Sequence, residues 1–154
     1  MTVKAKLCID AGCGENCQPG FVGMDKRKLK GVDVTHDLEV FPWPFEDGSA
    51  EVIKMSHVFE HIKPWLTIDL INECWRILKV GGKLVISAPY GYSYRFIQDP
   101  THCNPINEAT FAYFDPREDL YNVYKPKPWT VELCYWQVHG DIEVSMSKMN
   151  GAGK

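Results

Sequence analysis

The sequence predicts an α/β fold built on a mostly parallel β-sheet, and three features indicate this class. Short apolar and β-branched runs alternate with loops and one helix in the amino-terminal half, which is typical of parallel strands joined by crossovers. The segment 64–79 carries the apolar stripe of an amphipathic helix. Two further runs, at 129–138 and 141–149, are joined by a His-Gly turn and predict an antiparallel hairpin at one end of the sheet.

The strands predicted in the amino-terminal half are short and rich in β-branched and apolar residues. They cover residues 3–10, 21–25, 32–36, 50–56 and 83–88. The last of these, KLVISA, is nearly all apolar, so we expect it to be buried on both faces.

The segments between the strands predict one long helix and several loops. The helix at 64–79 has Pro64 in its first turn, and we expect the Gly-Gly pair at 81–82 to end it. Residues 41–49 contain two prolines and an Asp-Gly pair, which predict irregular structure. Residues 90–128 are rich in Tyr, Pro and Asn, and we expect loops and short helices over the carboxyl ends of the strands.

Composition and charge are those of an ordinary globular domain. The chain has 154 residues, of which 45% are hydrophobic and 24% charged, enough for one domain with a real core. The net charge of -3 argues against nucleic-acid binding by bulk electrostatics. The amino terminus has no apolar signal segment, and no apolar run approaches ~20 residues. We therefore expect a cytoplasmic protein that does not enter a membrane.

The six cysteines have two interpretations. In a reducing cytoplasm they are most simply free thiols. Cys13 and Cys17 could instead bind a metal, but a C-x-x-x-C pair without a second matched pair is a weak signal. Free thiols are the expectation that we carry forward.

The segment SHVFEH contains H-x-x-E-H, formed by His57, Glu60 and His61. In zinc hydrolases of this motif, both histidines lie on one face of a helix and bind Zn²⁺, while the glutamate acts on the bound water. Here a predicted strand directly precedes the motif and Pro64 follows closely, so a long helix cannot carry it. We expect no metal site, and a zinc hydrolase remains the minor alternative.

Residues at the carboxyl ends of the predicted strands form a candidate ligand site, because open α/β sheets bind ligands at that edge. Gly12 and Gly14 follow the first strand and would let the backbone approach a ligand closely. Asp25 ends the second strand, where a carboxylate commonly accepts ribose hydroxyls. Asp37 and Leu38 can offer a carboxylate and a backbone N–H to an adenine edge.

Six segments, in this order, resemble the small "type 11" class I S-adenosylmethionine-dependent methyltransferases. They are IDAGCG at 9–14, VGMD at 22–25, HDLEVFPWPF at 36–45, DGSAEVI at 47–53, SHVFEHI at 56–62 and ECWRILKVGGKLVISAP at 73–89. The resemblance implies a Rossmann-like seven-stranded sheet in the order 3-2-1-4-5-7-6. It also implies S-adenosylmethionine as cofactor, in-line transfer of its methyl group and S-adenosylhomocysteine as product.

The resemblance further implies ten cofactor-binding residues. They are Asp10, Gly12, Cys13 and Gly14 around the methionine part, Met24 and Asp25 at the adenine and ribose, Asp37 and Leu38 at the adenine edge, and Ser56 and His57 at the sulfonium end. We expect one methyltransferase domain over 1–154, with a cofactor-binding half at 1–89, acceptor loops at 90–128 and the hairpin at 129–149.

Two departures from the family pattern affect the site. Asp10 and Asp25 are only fifteen residues apart, and the sequence between them has no helical stripe, so the first crossover helix is expected to be missing or reduced. The chain also begins directly at the first strand, whereas related enzymes commonly have helices there that cover the cofactor. Residues 90–128 or a second subunit would have to replace them, which makes a homodimer one expectation.

Fewer sequence features indicate where the methyl acceptor would bind. His102 ends a D-P-T-H stretch that resembles the same subgroup, and it could act as a general base or simply fasten its loop by hydrogen bonds. Tyr90, Tyr92 and Tyr94 could line an acceptor pocket, but an alternation of exposed and buried loop residues explains them equally well. Arg95 could hold an anionic acceptor, although a surface salt bridge is the more common role. No [ND]-P-P-[YFW] motif follows the fourth strand, which argues against methylation of nucleobase nitrogens. We expect a small-molecule acceptor, and the alternative is an inactive cofactor-binding or nucleotide-binding module.

Overall fold

The structure, a computed structural model, describes residues 6–151, and seven strands within them form one sheet. The strands are β1 (Leu7–Ala11), β2 (Val22–Asp25), β3 (Val34–Thr35), β4 (Ala50–Ser56), β5 (Leu78–Pro89), β6 (Trp129–Trp136) and β7 (Asp141–Lys148). Their order is β3-β2-β1-β4-β5-β7-β6, with β1 to β5 parallel and β7 antiparallel to both β5 and β6. The predicted Rossmann-like order and the carboxyl-terminal hairpin are confirmed.

The helices are few and mostly short. They are α1 (Thr67–Ile77), α2 (Tyr94–Ile97), α3 (Glu108–Ala112) and α4 (Tyr121–Tyr124), with 3₁₀ turns at Phe59–His61 and Pro64–Leu66. Short helices within loops were expected over residues 90–128. Between residues 6 and 151, no helix is both long enough and apolar enough to cross a membrane.

The end of α1 and the start of β5 differ from the sequence prediction. The helix ends at Ile77, because Leu78 already has the extended conformation of a strand (φ -69°, ψ 145°). The Gly-Gly pair at 81–82 therefore does not end the helix. It lies inside β5, where the pairing with β4 shifts register between Ala50 and Val52.

One face of the sheet is packed and the other is partly open. Inner-face side chains are fully buried: Ile53 and Met55 of β4 pair with Leu84 and Ile86 of β5. The alternating residues Lys54, Ser56, Val85 and Ser87 are only partly buried. The expectation that β5 is buried on both faces was wrong, because helix α1 packs on the first face and no helix lies in the described connections among β1, β2, β3 and β4.

The connection between β1 and β2 consists of turns without a helix, as predicted. The segment 41–49 is also irregular, yet its Trp43 is buried. Glu73 of α1 accepts a hydrogen bond from the Trp43 N–H (2.6 Å), and Arg76 donates to the Trp43 and Phe45 carbonyl oxygens. These bonds attach the loop to α1, the helix that packs on the sheet.

Candidate functional site at the carboxyl edge of the sheet

A cavity of about 470 Å³ lies where β1, β2 and β4 end. Half of the ten residues predicted to bind the cofactor line it. They are Gly12, Asp25, Asp37, Leu38 and His57. The other five, Asp10, Cys13, Gly14, Met24 and Ser56, do not line the cavity.

Asp25 is a buried carboxylate that the surrounding backbone holds in one orientation. Its Oδ1 accepts hydrogen bonds from the Arg27 N–H (2.9 Å) and Nε (3.2 Å), and its Oδ2 accepts one from the Gly14 N–H (3.0 Å). Burial raises the pKa of Asp25, but the hydrogen bonds from Arg27 and Gly14 lower it more, so the pKa lies below its ordinary value. The carboxylate is therefore ionised at neutral pH and keeps acceptor capacity toward the cavity.

The loop after β1 depends on glycine for its close approach to β4. Gly12 has a φ of +78°, and its N–H donates to the Met24 carbonyl oxygen (2.7 Å). A Cβ at this position would overlap the Val58 side chain. Glycine is thus required here both for the backbone angle and for the space beside Val58.

Asp10 and Met24 support this loop from behind. Asp10 is buried, and its Oδ2 accepts a hydrogen bond from the Gln18 N–H (2.7 Å), so its carboxylate fixes the loop. The Met24 side chain is fully buried in the core, and its carbonyl oxygen accepts hydrogen bonds from the Gly12 and Cys13 N–H groups of the loop. The contact of Met24 with the adenine stays a prediction.

Cys13 and Cys17 form a disulfide within the same loop, with Cα atoms 4.7 Å apart. The expectation of six free thiols was wrong at these two positions, because the helix-free loop brings the two side chains together. Gly23 of β2 lies directly beneath the bridge, where a Cβ would meet both sulfur atoms. The free cysteines among the described residues are Cys8, Cys74, Cys103 and Cys134.

Asp37 and Leu38 also line the cavity. Asp37 is exposed and accepts a hydrogen bond from the Glu39 N–H (3.0 Å) through Oδ1. Leu38 is buried and accepts a hydrogen bond from Trp43 Nε1 through its carbonyl oxygen (3.0 Å). An acidic side chain and an apolar side chain therefore follow each other in the lining of the cavity.

His57 follows β4 with a positive φ of 52° and lies between two carboxylates. Its Nδ1 is 3.7 Å from Glu60 Oε1, and its Nε2 is 3.8 Å from Asp141 Oδ2. The Glu60 carboxylate raises the pKa of His57, burial lowers it, and Asp141 adds a smaller upward contribution, so the pKa lies above its ordinary value. A left-handed histidine is uncommon and is often found at functional sites.

The H-x-x-E-H segment does not form the helix of a zinc hydrolase. His57 lies outside any helix, and Glu60 and His61 belong to a 3₁₀ turn of three residues. The two histidines consequently do not share one helical face. This agrees with the prediction from the sequence context that no long helix carries the motif.

His102 lies in the interior, with its side chain only 8% exposed. Its Nδ1 is 2.9 Å from the Phe96 carbonyl oxygen, and its Nε2 is 3.6 Å from Asp99 Oδ2. This placement agrees with the loop-fastening alternative. General-base catalysis by His102 stays a prediction.

A second cavity, of about 400 Å³, lies beside the first and is largely aromatic. Tyr90, Tyr92, Tyr94 and Arg95 all line it, and its role as an acceptor pocket stays a prediction. Asp141 links the two cavities, because its carboxylate lies 3.4 Å from Arg95 Nε and 3.8 Å from His57 Nε2.

Sequence reasoning missed several residues of the first cavity. They are Lys26, Arg27, Glu39, Val58, His61, Ile62 and Thr101. The basic pair directly after Asp25 could have been found from its position alone, since it follows a strand end. Thr101 could not have been found from its position in the sequence, because it belongs to a long loop that reaches the cavity only in the folded chain.

Comparison with known proteins agrees with this geometry. The family model described as "Methyltransferase domain" matches residues 14–86. A Mycolicibacterium smegmatis protein named "Probable S-adenosylmethionine-dependent methyltransferase" is 26% identical over 121 residues, which are 66% of this chain and 46% of that protein. A Mycobacterium tuberculosis protein of the same description is 27% identical over 119 residues, covering 67% of this chain and 41% of that protein. The chain thus spans less than half the length of these curated relatives.

Solved structures show the same fold. A crystal structure of an S-adenosylmethionine-dependent methyltransferase from Archaeoglobus fulgidus aligns with a TM-score of 0.68 at 16% identity, covering 94% of this chain and 86% of that one. One from Mesorhizobium loti aligns with a TM-score of 0.64 at 12% identity, covering 95% and 92%. The sheet order agrees with the fold of these solved structures, and the family match covers a little under half of the chain.

Proposed function

We propose that this domain binds S-adenosylmethionine in the first cavity and transfers its methyl group to a small-molecule acceptor in the second. The observation that carries the proposal is Asp25, an ionised and anchored carboxylate at the end of β2 on the cavity wall. In an open α/β sheet this is the position that accepts ribose hydroxyls.

The residues of the first cavity fit a nucleoside cofactor. Asp25 would accept a ribose hydroxyl, while Asp37 and Leu38 would contact the adenine edge. Gly12 leaves the backbone accessible, and His57 would lie at the reacting end. S-adenosylmethionine, when bound, supplies an electrophilic methyl group on a sulfonium sulfur. The contribution of the protein is then to orient the acceptor in line with that group.

The second cavity supports a planar or apolar small molecule as acceptor. Its walls carry Tyr90, Tyr92, Tyr94 and Trp136, which offer flat apolar surfaces. Arg95 is the cation at this site and could contact an anionic group of the acceptor, although it also pairs with Asp141. A homodimer that completes the cavity and a cytoplasmic location stay predictions, as does the division of the chain at residues 89 and 128.

An inactive cofactor-binding module is the second candidate. The helix-free loop after β1 favours it, because that loop leaves one side of the cavity less enclosed. The two candidates share the cofactor and differ only in turnover.

The test is a calorimetric titration of S-adenosylhomocysteine into the metal-free full chain, followed by transfer of labelled methyl groups to a panel of hydroxyl and amine acceptors. Saturable binding with turnover supports the proposal, and binding without turnover on any acceptor supports the inactive module. No binding at about millimolar ligand, roughly -4 kcal/mol, would overturn both.

Arg95→Gln tests the acceptor cavity separately. We expect the variant to bind S-adenosylhomocysteine normally and to raise KM for the acceptor. Lys83→Gln is the matched control, because Lys83 is similarly exposed (50% against 44%), pairs with Glu132 and lines neither cavity. An unchanged KM in Arg95→Gln would remove Arg95 from the acceptor site.

A further inference from the structure

Three side chains with metal-binding atoms meet beside the first cavity. Glu60 and His61 come from the 3₁₀ turn after β4, and His102 comes from the loop before α3. One ligand atom from each lies within 4.8 Å of the others. His61 also lines the first cavity, so the cluster lies in its wall.

Glu60 has an unusual environment for a carboxylate. The residue is 1% exposed, and its Oε2 has no hydrogen-bond partner among residues 6–151. The other oxygen, Oε1, lies 3.7 Å from His57 Nδ1 and 3.9 Å from His102 Nε2. Burying a carboxylate with one oxygen unsatisfied is costly, so the site favours a cation beside this carboxylate.

The neutral ring of His102 would offer the lone pair of Nε2 beside this carboxylate. Its Nδ1 lies 2.9 Å from the Phe96 carbonyl oxygen, which can only accept, so the neutral ring carries its proton on Nδ1. Nε2 is then unprotonated and faces Glu60 Oε1 at 3.9 Å and Asp99 Oδ2 at 3.6 Å. Metal-binding histidines are commonly oriented by such a bond from the other ring nitrogen.

The two segments that carry the cluster are bound to each other. The N–H groups of Cys103 and Asn104 both donate to the Glu60 carbonyl oxygen (2.9 and 3.1 Å). The Thr101 hydroxyl donates to Asp99 Oδ1 (2.7 Å) and lies 3.2 Å from His61 Nδ1. The ligand atoms are thus held close together before any ion binds, which reduces the cost of binding one.

We propose that Glu60, His61 and His102 bind a divalent transition-metal ion of the Zn²⁺ type. Two imidazoles and one carboxylate suit such an ion better than Mg²⁺ or Ca²⁺, which prefer oxygen ligands. Three protein ligands leave at least one coordination position open.

This site revises the expectation of a chain without metal. Glu60 is a ligand here and not a base, and His57 is replaced by His102. The H-x-x-E-H motif alone could not indicate these three ligands, because the third, His102, comes from a distant loop.

The test is a titration of Co²⁺ into the untagged, metal-free full chain, followed by visible absorption. We expect one saturable site per chain, weakened by about tenfold or more in His102→Asn and in Glu60→Gln. His61→Ala is a third variant whose exposed position makes unfolding of the chain a minor concern, and circular dichroism checks all three folds. His139→Asn is the matched control, because this half-exposed histidine pairs with Asp141 outside the cluster.

Three results would overturn the proposal. They are no saturable Co²⁺ binding up to about 1 mM, wild-type affinity in folded His61→Ala and Glu60→Gln, or a thiolate charge-transfer band that places the ion on cysteine. A separate titration of S-adenosylhomocysteine into metal-free protein distinguishes the two proposals. Cofactor binding without Co²⁺ binding would refute only the metal site, and the reverse would refute only the cofactor assignment.

Discussion

Replacing Asp25 by asparagine should weaken S-adenosylhomocysteine binding without unfolding the chain. The substitution Asp25→Asn keeps the size of the side chain and removes its charge. It also replaces one acceptor oxygen by an amide NH₂, which cannot accept from the N–H groups of Arg27 or Gly14. The variant therefore tests the residue that carries the proposed function.

The expected loss follows from the hydrogen bonds that Asp25 already makes. Oδ1 accepts two of them, both from Arg27, and Oδ2 accepts one from Gly14. A carboxylate has about four acceptor positions, so about one, on Oδ2, remains for a ribose hydroxyl. A hydrogen bond to a charged group contributes about 1.5–3 kcal/mol, which corresponds to about a tenfold to hundredfold loss of affinity.

The assay is isothermal titration calorimetry of wild-type protein, Asp25→Asn and Asp119→Asn. Asp119 is an exposed aspartate that makes no side-chain contact with the cavity, so its variant should bind like wild type. An affinity of Asp25→Asn within about twofold of wild type, with unchanged circular dichroism, would refute the ribose assignment.

The pH dependence of the same pair of proteins gives a second check. The pKa of Asp25 is lowered in the folded chain, so its carboxylate is ionised above the ordinary carboxyl range and loses its charge only as the pH falls through the lowered value. The difference in binding free energy between wild type and Asp25→Asn should therefore be constant from about pH 5 to 8. A difference that fades within that range would contradict the lowered pKa.

Two further predictions concern the loop after β1. Gly12→Ala should lower both thermal stability and cofactor affinity, whereas Gly20→Ala should have a smaller effect, since both have φ near +80° but only a Cβ at Gly12 would meet Val58. Differential scanning calorimetry of the two variants separates the steric contribution, and equal losses would show that the contact with Val58 is unimportant. In denaturant without reductant, mass spectrometry after alkylation should find Cys13 and Cys17 unmodified and the other thiols modified. Reduction should then expose both, and modification of either without reductant would rule out the disulfide.

Much of the fold follows from patterns that are local in the sequence. The hairpin of β6 and β7 was predictable from its His-Gly turn and flanking β-branched runs, and Asp25 from its place at a strand end. The side of the sheet toward which each side chain points was harder to predict. One step along a strand reverses the side to which a side chain points. Met24 is fully buried in the core, and its place beside the adenine stays a prediction.

The other differences between the sequence predictions and the structure come from contacts that local sequence patterns do not specify. The disulfide could not be distinguished from free thiols by spacing, because only the path of the loop brings Cys13 next to Cys17. The approach of His102 to Glu60 depends on backbone bonds between two loops. Whether β5 is covered on both faces depends on helices elsewhere in the chain. The residue pattern of KLVISA alone does not show whether such helices pack on each face.

The helix-free connection between β1 and β2 also changes the electrostatics of the site. In most nucleotide-binding βαβ units, the first crossover helix directs a macrodipole of roughly half a positive charge toward the anionic end of the ligand. Here that source is missing, and the N–H groups of Gly12, Cys13 and Gly14 are already bonded to Met24 and Asp25. The carboxylate of a bound amino-acid group must then be balanced by discrete, exposed cations such as Lys26 and Arg27. Mobile ions screen exposed charges strongly, so the ligand affinity of this chain should fall more steeply with ionic strength than that of relatives with the helix.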